Sequence, residues 1–277
     1  MHRIGLIIAD HFQMLALSTL TVFEFANLVA EHPFYQPVVY SEHGGTVRSS
    51  SGIGVDSTKL TEETLVDTWL IAGVLSPVED PASPGVIHFL QTTARQARRI
   101  AGVCTGAFVL AQAGLLEQKR ATTHWAHSQS LASRHPTIQL EDDRIFIIDD
   151  TIWTSAGMTA GLDMALGMVE KDLGADIART VAHRLVMNQR RSGGQKQHSE
   201  MLALAPRSDR LQTALEYARH NLRKTLTVEM LADAVHVSAR QLSRLFRQET
   251  GKSPAKAIEG LRLEAARLMI EQSRLSL

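Results

Sequence analysis

AGVCTGAFVLAQAGLL, residues 101–116, runs from a short apolar strand ending at Val103 into a helix beginning near Gly106, with one cysteine at the corner. Gly102 and Gly106 flank Cys104 and permit a turn tight enough to lift one side chain above a sheet, the geometry of a nucleophile elbow. A strand ending in such a corner needs parallel neighbours, and the chain supplies them. Residues 3–9 (RIGLIIA), 36–41 (QPVVYS), 68–72 and 100–103 are the short apolar runs of strands buried on both faces. Helical patterns over 17–32 and 85–98 alternate with them, and a loop with three prolines occupies 77–84. Strands alternating with helices imply a parallel sheet covered on both sides. A glycine-punctuated hairpin at 47–55, a helix at 125–134, strands at 144–148 and 152–155, and two helices from 158 to about 190 complete an open α/β domain, assigned to residues 1–188.

A length of 277 residues predicts two domains, and 44% hydrophobic with 21% charged residues is the composition of a globular chain with sizeable cores. The formal net charge is zero, but it is unevenly spread: residues 207–277 hold 13 Lys and Arg against 8 Asp and Glu, net +5. A basic end on an acidic body is the pattern of a DNA-binding module attached to something else. The single cysteine excludes an intrachain disulfide and favours a reducing compartment. No apolar run approaches 18 residues and the amino terminus lacks a signal-peptide cleavage site, so the expectation is a cytoplasmic protein without a membrane partner. The stretch 189–210, rich in Gly, Gln and Ser, reads as a linker whose apolar knot MLALA docks on one domain.

After an amphipathic helix at 211–222 comes TLTVEMLADAVHVSARQLSRLFRQETGKSP, residues 225–254. Leu226, Met230, Leu231 and Val235 make one face of a short helix starting after Thr227. Ser238 and Gln241 form a capping box that opens a second helix, and Gly251 followed by Pro254 closes it. Leu242, Leu245 and Phe246 turn toward the first helix, leaving Arg240, Gln241, Ser243, Arg244 and Arg247 outward, and these five with Ser238 are the expected DNA contacts. This is a helix-turn-helix whose second helix suits the major groove, where Arg grips guanine and Gln grips adenine bidentately. The alternative is a helical interaction module with a solvated polar face. A third helix, 255–272, packs across the first two.

Two resemblances join these readings. Residues 226–277 resemble the first half of the AraC/XylS DNA-binding domain. That resemblance implies that Arg240, Ser243 and Arg244 face bases and that Arg247 approaches phosphate; the family's second helix-turn-helix would begin at about Leu277, so either the sequence is truncated there or one helix docks per subunit. GVCTGAFVLAQAGLL, RATTHW at 120–125 and WTSAGMTAGLD at 153–163 resemble the PfpI branch of the class I glutamine amidotransferase-like superfamily. The combination resembles the GlxA family of transcriptional regulators, which implies a flavodoxin-like α/β domain followed by a smaller all-α helix-turn-helix domain (211–277). It also implies a homodimer.

Peptidase-like members of the branch carry His after the nucleophile, where this chain has Thr105, and hydratase-like members carry Asp about where it has Ala16. Cys104 therefore lacks the acid or base that hydrolysis or hydration needs, although its place at a helix amino terminus favours thiolate. Three readings stay open for it: wall of a ligand pocket, small buried hydrophobe, or nucleophile and redox sensor. No catalytic residue is assigned. Gly73, Cys104, Thr105, His124, Ser155 and Gly157 are expected to converge on a small-molecule site at the carboxyl ends of the strands; alternatively the glycines and Ser155 only shape turns. His124 and His127 lack a third ligand, so neither metal nor cofactor is expected. The expected function is a DNA-binding regulator with duplex DNA and an unidentified effector as partners; the alternative is a cysteine-dependent hydrolase or amidase.

Overall fold

A computed structural model of the chain describes residues 1–93, 96–187, 193, 197, 204 and 208–272. The chain divides into two compact units, Met1–Gln197 and His198–Leu277. Most of the expected linker, 189–210, lies outside the described residues, as do 273–277.

The first unit is built on strands β1 (His2–Ile7), β2 (Tyr35–Ser41), β3 (Gly45–Arg48), β4 (Gly54–Lys59), β5 (Thr68–Ile71), β6 (Arg99–Val103), β9 (Phe146–Asp149) and β10 (Ile152–Ser155). They form one sheet in the order β3-β4-β2-β1-β5-β6-β10-β9. The central pairs are parallel, while β3 and β9 are antiparallel at the two edges, so the sheet is mixed where a parallel one was expected. A short parallel pair, β7 (Arg120–Ala121) with β8 (Gln139–Leu140), lies apart.

Period-two alternation sends successive side chains to opposite faces. Ile4, Leu6, Leu70, Ala101, Val103 and Trp153 enter one apolar layer with α1 (Ser18–Ala30), α5 (Met158–Leu173) and α6 (Ala175–Arg184). Ile7, Trp69, Ile71, Ile100 and Ile152 enter the other with α2 (Pro84–Thr93), α3 (Gly106–Gln112) and α4 (Ser128–Arg134). Both layers being dry explains why the central strands read as continuous apolar runs rather than alternating ones. At the amino ends of the strands, Arg99 reaches the fully buried carboxylate of Asp172 and Tyr35 donates its hydroxyl to it at 2.9 Å.

The second unit packs α7 (Asp209–His220), α8 (Val228–Asp233), α9 (Ala239–Thr250) and α10 (Pro254–Gln272) around Leu211, Leu215, Leu231, Leu242, Phe246, Ile258 and Leu261. Leu204, from the apolar knot before α7, is buried in this core. Met230, expected to face inward, is instead 37% exposed. Among the described residues no helix is long and apolar enough to cross a membrane.

Candidate ligand site and nucleic-acid interface

The elbow forms as the glycine spacing predicts. Cys104 sits at φ 57° between β6 and α3, in the left-handed region that a side chain enters only under local constraint. A β-carbon on Gly106 would collide with the Ile71 carbonyl, and one on Gly73 with the Thr105 hydroxyl, so both positions allow the corner to press against β5. The backbone of Cys104 is held from two sides: its N–H donates to Ser155 Oγ at 3.4 Å and its carbonyl accepts from Thr123 Oγ1 at 3.0 Å. Thr105 turns the opposite way and donates its hydroxyl to the Val74 carbonyl at 2.6 Å.

The thiol is not activated. Burial pushes Cys104 up to about 11, outweighing the hydrogen bonds from Thr105 that pull it down. This overturns the expectation that the helix terminus would favour thiolate: α3 is two turns long and the sulfur lies in the apolar layer, where loss of hydration dominates. Ala16 is fully buried in the same layer and brings no carboxyl group to the corner.

The six expected ligand residues lie around the elbow, held by different partners. Cys104 and Ser155 are hydrogen-bonded, and Gly157 lies beside the His124 ring, 3.7 Å separating the ring from where a β-carbon on Gly157 would be. His124 Nδ1 accepts from Ala126 N–H at 3.3 Å, which gives the ring a structural task at the start of a short 3₁₀ turn. Gly73 accepts from Gln13 N–H at 2.9 Å beneath Thr105. Of the six, Thr105 lines a cavity of about 610 Å³ on the β1, β2 and β5 side of the corner, and the other five are not among its lining residues.

That cavity was missed from the sequence. Ile7, Ile71, Val86 and Phe108 form apolar wall, and Asp10, His11, Glu42, His43, Glu79 and Asp80 supply its polar groups, with no Lys or Arg among the lining residues. Glu42 leans on Gly85 in the first turn of α2, where the orphan N–H groups favour a carboxylate. His11 lies 3.7 Å from Asp80, and His43 lies 3.9 Å from Glu42. The available signal was positional: Asp10–His11 and Glu42–His43 follow the carboxyl ends of β1 and β2, where open α/β sheets bind ligands. Among the described residues no group of three or more His, Cys, Asp or Glu is placed to hold a metal ion.

In the second unit all six expected DNA-contacting residues, Ser238, Arg240, Gln241, Ser243, Arg244 and Arg247, line one open groove of about 770 Å³ together with the start of α10. No carboxylate lines it. Arg240, Arg244 and Arg247 are exposed and none is ion-paired among the described residues. Ser238 caps α9 in a complete capping box, accepting from Gln241 N–H while Gln241 Oε1 accepts from Ser238 N–H at 3.0 Å. Gln241 is therefore occupied in holding the helix start, and a bidentate grip on adenine would break that bond. Among the described residues, Arg240, Ser243 and Arg244 carry no such duty.

Comparison with known proteins places both units. The profile of the DJ-1/PfpI family matches residues 2–171, and that of a helix-turn-helix domain matches 231–277. Over 99% of its length the chain is 33% identical to the HTH-type transcriptional regulator GlxA of Rhizobium meliloti and covers 86% of that protein. Half of it, 50%, is 37% identical to isonitrile hydratase of Pseudomonas putida, covering 60% of the enzyme. The crystal structure of an AraC family transcriptional regulator from Pseudomonas putida shares the fold, with a TM-score of 0.62 at 24% identity over 67% of this chain and 100% of that one.

Proposed function

We propose a division of labour that starts from one premise: the chain belongs to the DJ-1/PfpI family, among the relatives that carry a helix-turn-helix domain and act as transcriptional regulators. The second unit binds duplex DNA by laying α9 in the major groove, and the first unit senses a small molecule. The observation that carries this reading is the groove along α9, lined by three arginines that are not ion-paired among the described residues and by no acid. Arg240, Ser243 and Arg244 read base edges and Arg247 grips phosphate. A homodimer in the cytoplasm would set two copies of α9 on half-sites about one helical turn apart.

The effector site is the cavity between β1, β2 and β5, reaching the elbow through Thr105. Four carboxylates, accompanied by two histidines and by no Lys or Arg among the lining residues, favour a ligand with a positively charged end, and the apolar wall accommodates a short hydrocarbon portion. Regulation requires that this ligand bind two arrangements of the protein unequally. A calorimetric screen of small ammonium compounds tests the site: a binder is expected, and Glu42→Gln should weaken it about tenfold while leaving the melting temperature unchanged. Binding indifferent to Glu42 would remove the cavity from the account.

Regulation proceeds without catalysis. The isonitrile hydratase likeness favours an enzyme, but the thiol is buried, and positions 16 and 105 carry Ala and Thr rather than an acid or a histidine. With a thiol near 11, alkylation of the folded chain by iodoacetamide at pH 7.5 should run on the order of a hundredfold slower than that of free cysteine, whose pKa is about 8.5. The rate should climb as pH rises toward 11. A neutral-pH rate equal to that of free cysteine would restore the enzyme reading.

A further inference from the structure

The cavity beside the elbow is selective in what it lacks as well as in what it holds. Its acids come from separate parts of the first unit: Asp10 after β1, Glu42 after β2, and Glu79 and Asp80 on the loop between β5 and α2. Asp80 lies beside His11 at 3.7 Å, while Glu42 lies against Gly85 with His43 at 3.9 Å. Asp10 accepts from the Arg48 backbone N–H at 3.2 Å. Among the described residues no hydrogen bond reaches the carboxylates of Glu42, Glu79 or Asp80. Charged acceptors left free around a cavity hold their strongest hydrogen bonds for a donor that is itself positively charged.

An anionic group on the ligand would find little there. The lining residues include no Lys or Arg, and the guanidinium of Arg48, which follows lining residue Val47, donates to the Gly52 carbonyl at 3.1 Å on its own hairpin. Each of the two imidazoles already stands beside a carboxylate. The hydroxyls of Thr46 and Thr105 are donated to Asp56 and to the Val74 carbonyl, both at 2.6 Å. A zwitterion would therefore bring its carboxylate into an acidic space without a counter-charge. A quaternary ammonium is also poorly served. Such groups have no N–H to give a carboxylate and are held by several aromatic faces, whereas Phe108 is the single Phe, Tyr or Trp in this lining.

We infer that the cavity takes an aliphatic polyamine: N–H-bearing ammonium groups at both ends, hydrocarbon between them lying on Ile7, Ile71, Val86 and Phe108, and no carboxylate. The free acids of Glu42 and of the loop that carries Glu79 and Asp80 receive the two ends. This rests on the reading of the cavity as the effector site and narrows it from a cation to a class of compound.

The test is calorimetry on the full 277-residue chain without DNA, with putrescine and spermidine as probes. Both should bind, one molecule per chain. Butylamine, which loses one ammonium, should bind about tenfold more weakly or worse, and γ-aminobutyrate, which sets a carboxylate in its place, about a hundredfold more weakly or worse. The fully methylated, bis-quaternary analogue of putrescine keeps both charges without an N–H and should lose about tenfold. Glu42→Gln and Asp80→Asn should each weaken putrescine about tenfold with no change in melting temperature. Glu62→Gln, at an exposed acid outside the cavity, should change nothing. If γ-aminobutyrate or the bis-quaternary compound bound as tightly as putrescine, the polyamine would be overturned while the cavity stayed a site for ammonium compounds. Butylamine equal to putrescine would overturn the second charged end. Putrescine binding indifferent to both cavity variants would place it elsewhere on the chain and overturn the proposal. Binding by none of the amines would overturn it together with the reading of the cavity as the effector site.

Discussion

The two units use the same polar chemistry in opposite ways. In the first, charged and hydroxyl groups are buried and spent on one another: Asp172 on Arg99 and Tyr35, Thr123 and Ser155 on the Cys104 backbone. In the second, Arg240, Arg244 and Arg247 stand in solvent with no ion-pair partner among the described residues. A buried, satisfied group fixes a shape and is costly to disturb. An exposed, unsatisfied one costs the fold little and holds its hydrogen bonds in reserve for another molecule. Polar residues in the first unit should therefore matter for stability, and those on α9 for recognition.

The largest break in that contrast comes at Asp172. Replacing it with Ala leaves the Arg99 guanidinium buried without its counter-charge, and chemical unfolding should show a loss of about 3–5 kcal/mol from the first unit. A loss under 1 kcal/mol would mean that water already reaches this site. Next comes Arg244→Ala, which should weaken specific DNA binding by about 1–3 kcal/mol and relax one base preference with no change in melting temperature. Arg247→Ala should instead weaken all sequences alike and flatten the salt slope by about one. A smaller effect sharpens the comparison from within α9: Ser238 is exposed yet spent on the helix start, so Ser238→Ala should destabilise the second unit by about 1 kcal/mol. If Ser238→Ala cost affinity and no stability, the division between spent and reserved groups would fail there.

The same division marks what the sequence disclosed. The recognition helix was legible because its signals are local: a capping box three residues apart, an apolar stripe, and a glycine at φ 70° closing the helix. The elbow was legible for the same reason, since Gly102 to Gly106 act within one turn. The protonation of its thiol was not, because Cys104 is buried in an apolar layer assembled from distant parts of the chain, and that burial outweighs the local helix terminus. The cavity was hidden because its carboxylates sit after three different strands, and only the order of the sheet brings Asp10, Glu42 and Asp80 together. The two antiparallel edge strands, β3 and β9, turned an expected parallel sheet into a mixed one without moving its carboxyl ends.

The central claim is that α9 reads DNA. It is tested most directly by a salt titration of binding to promoter fragments, comparing the 277-residue chain with its Arg240→Ala/Arg244→Ala variant. The account predicts sequence-selective binding by the wild type, with affinity falling linearly on a log–log plot against salt. In the double variant the selectivity should disappear while weak, salt-sensitive binding survives through Arg247 and its neighbours. Equal selectivity in the two proteins, or none in either, would contradict the claim.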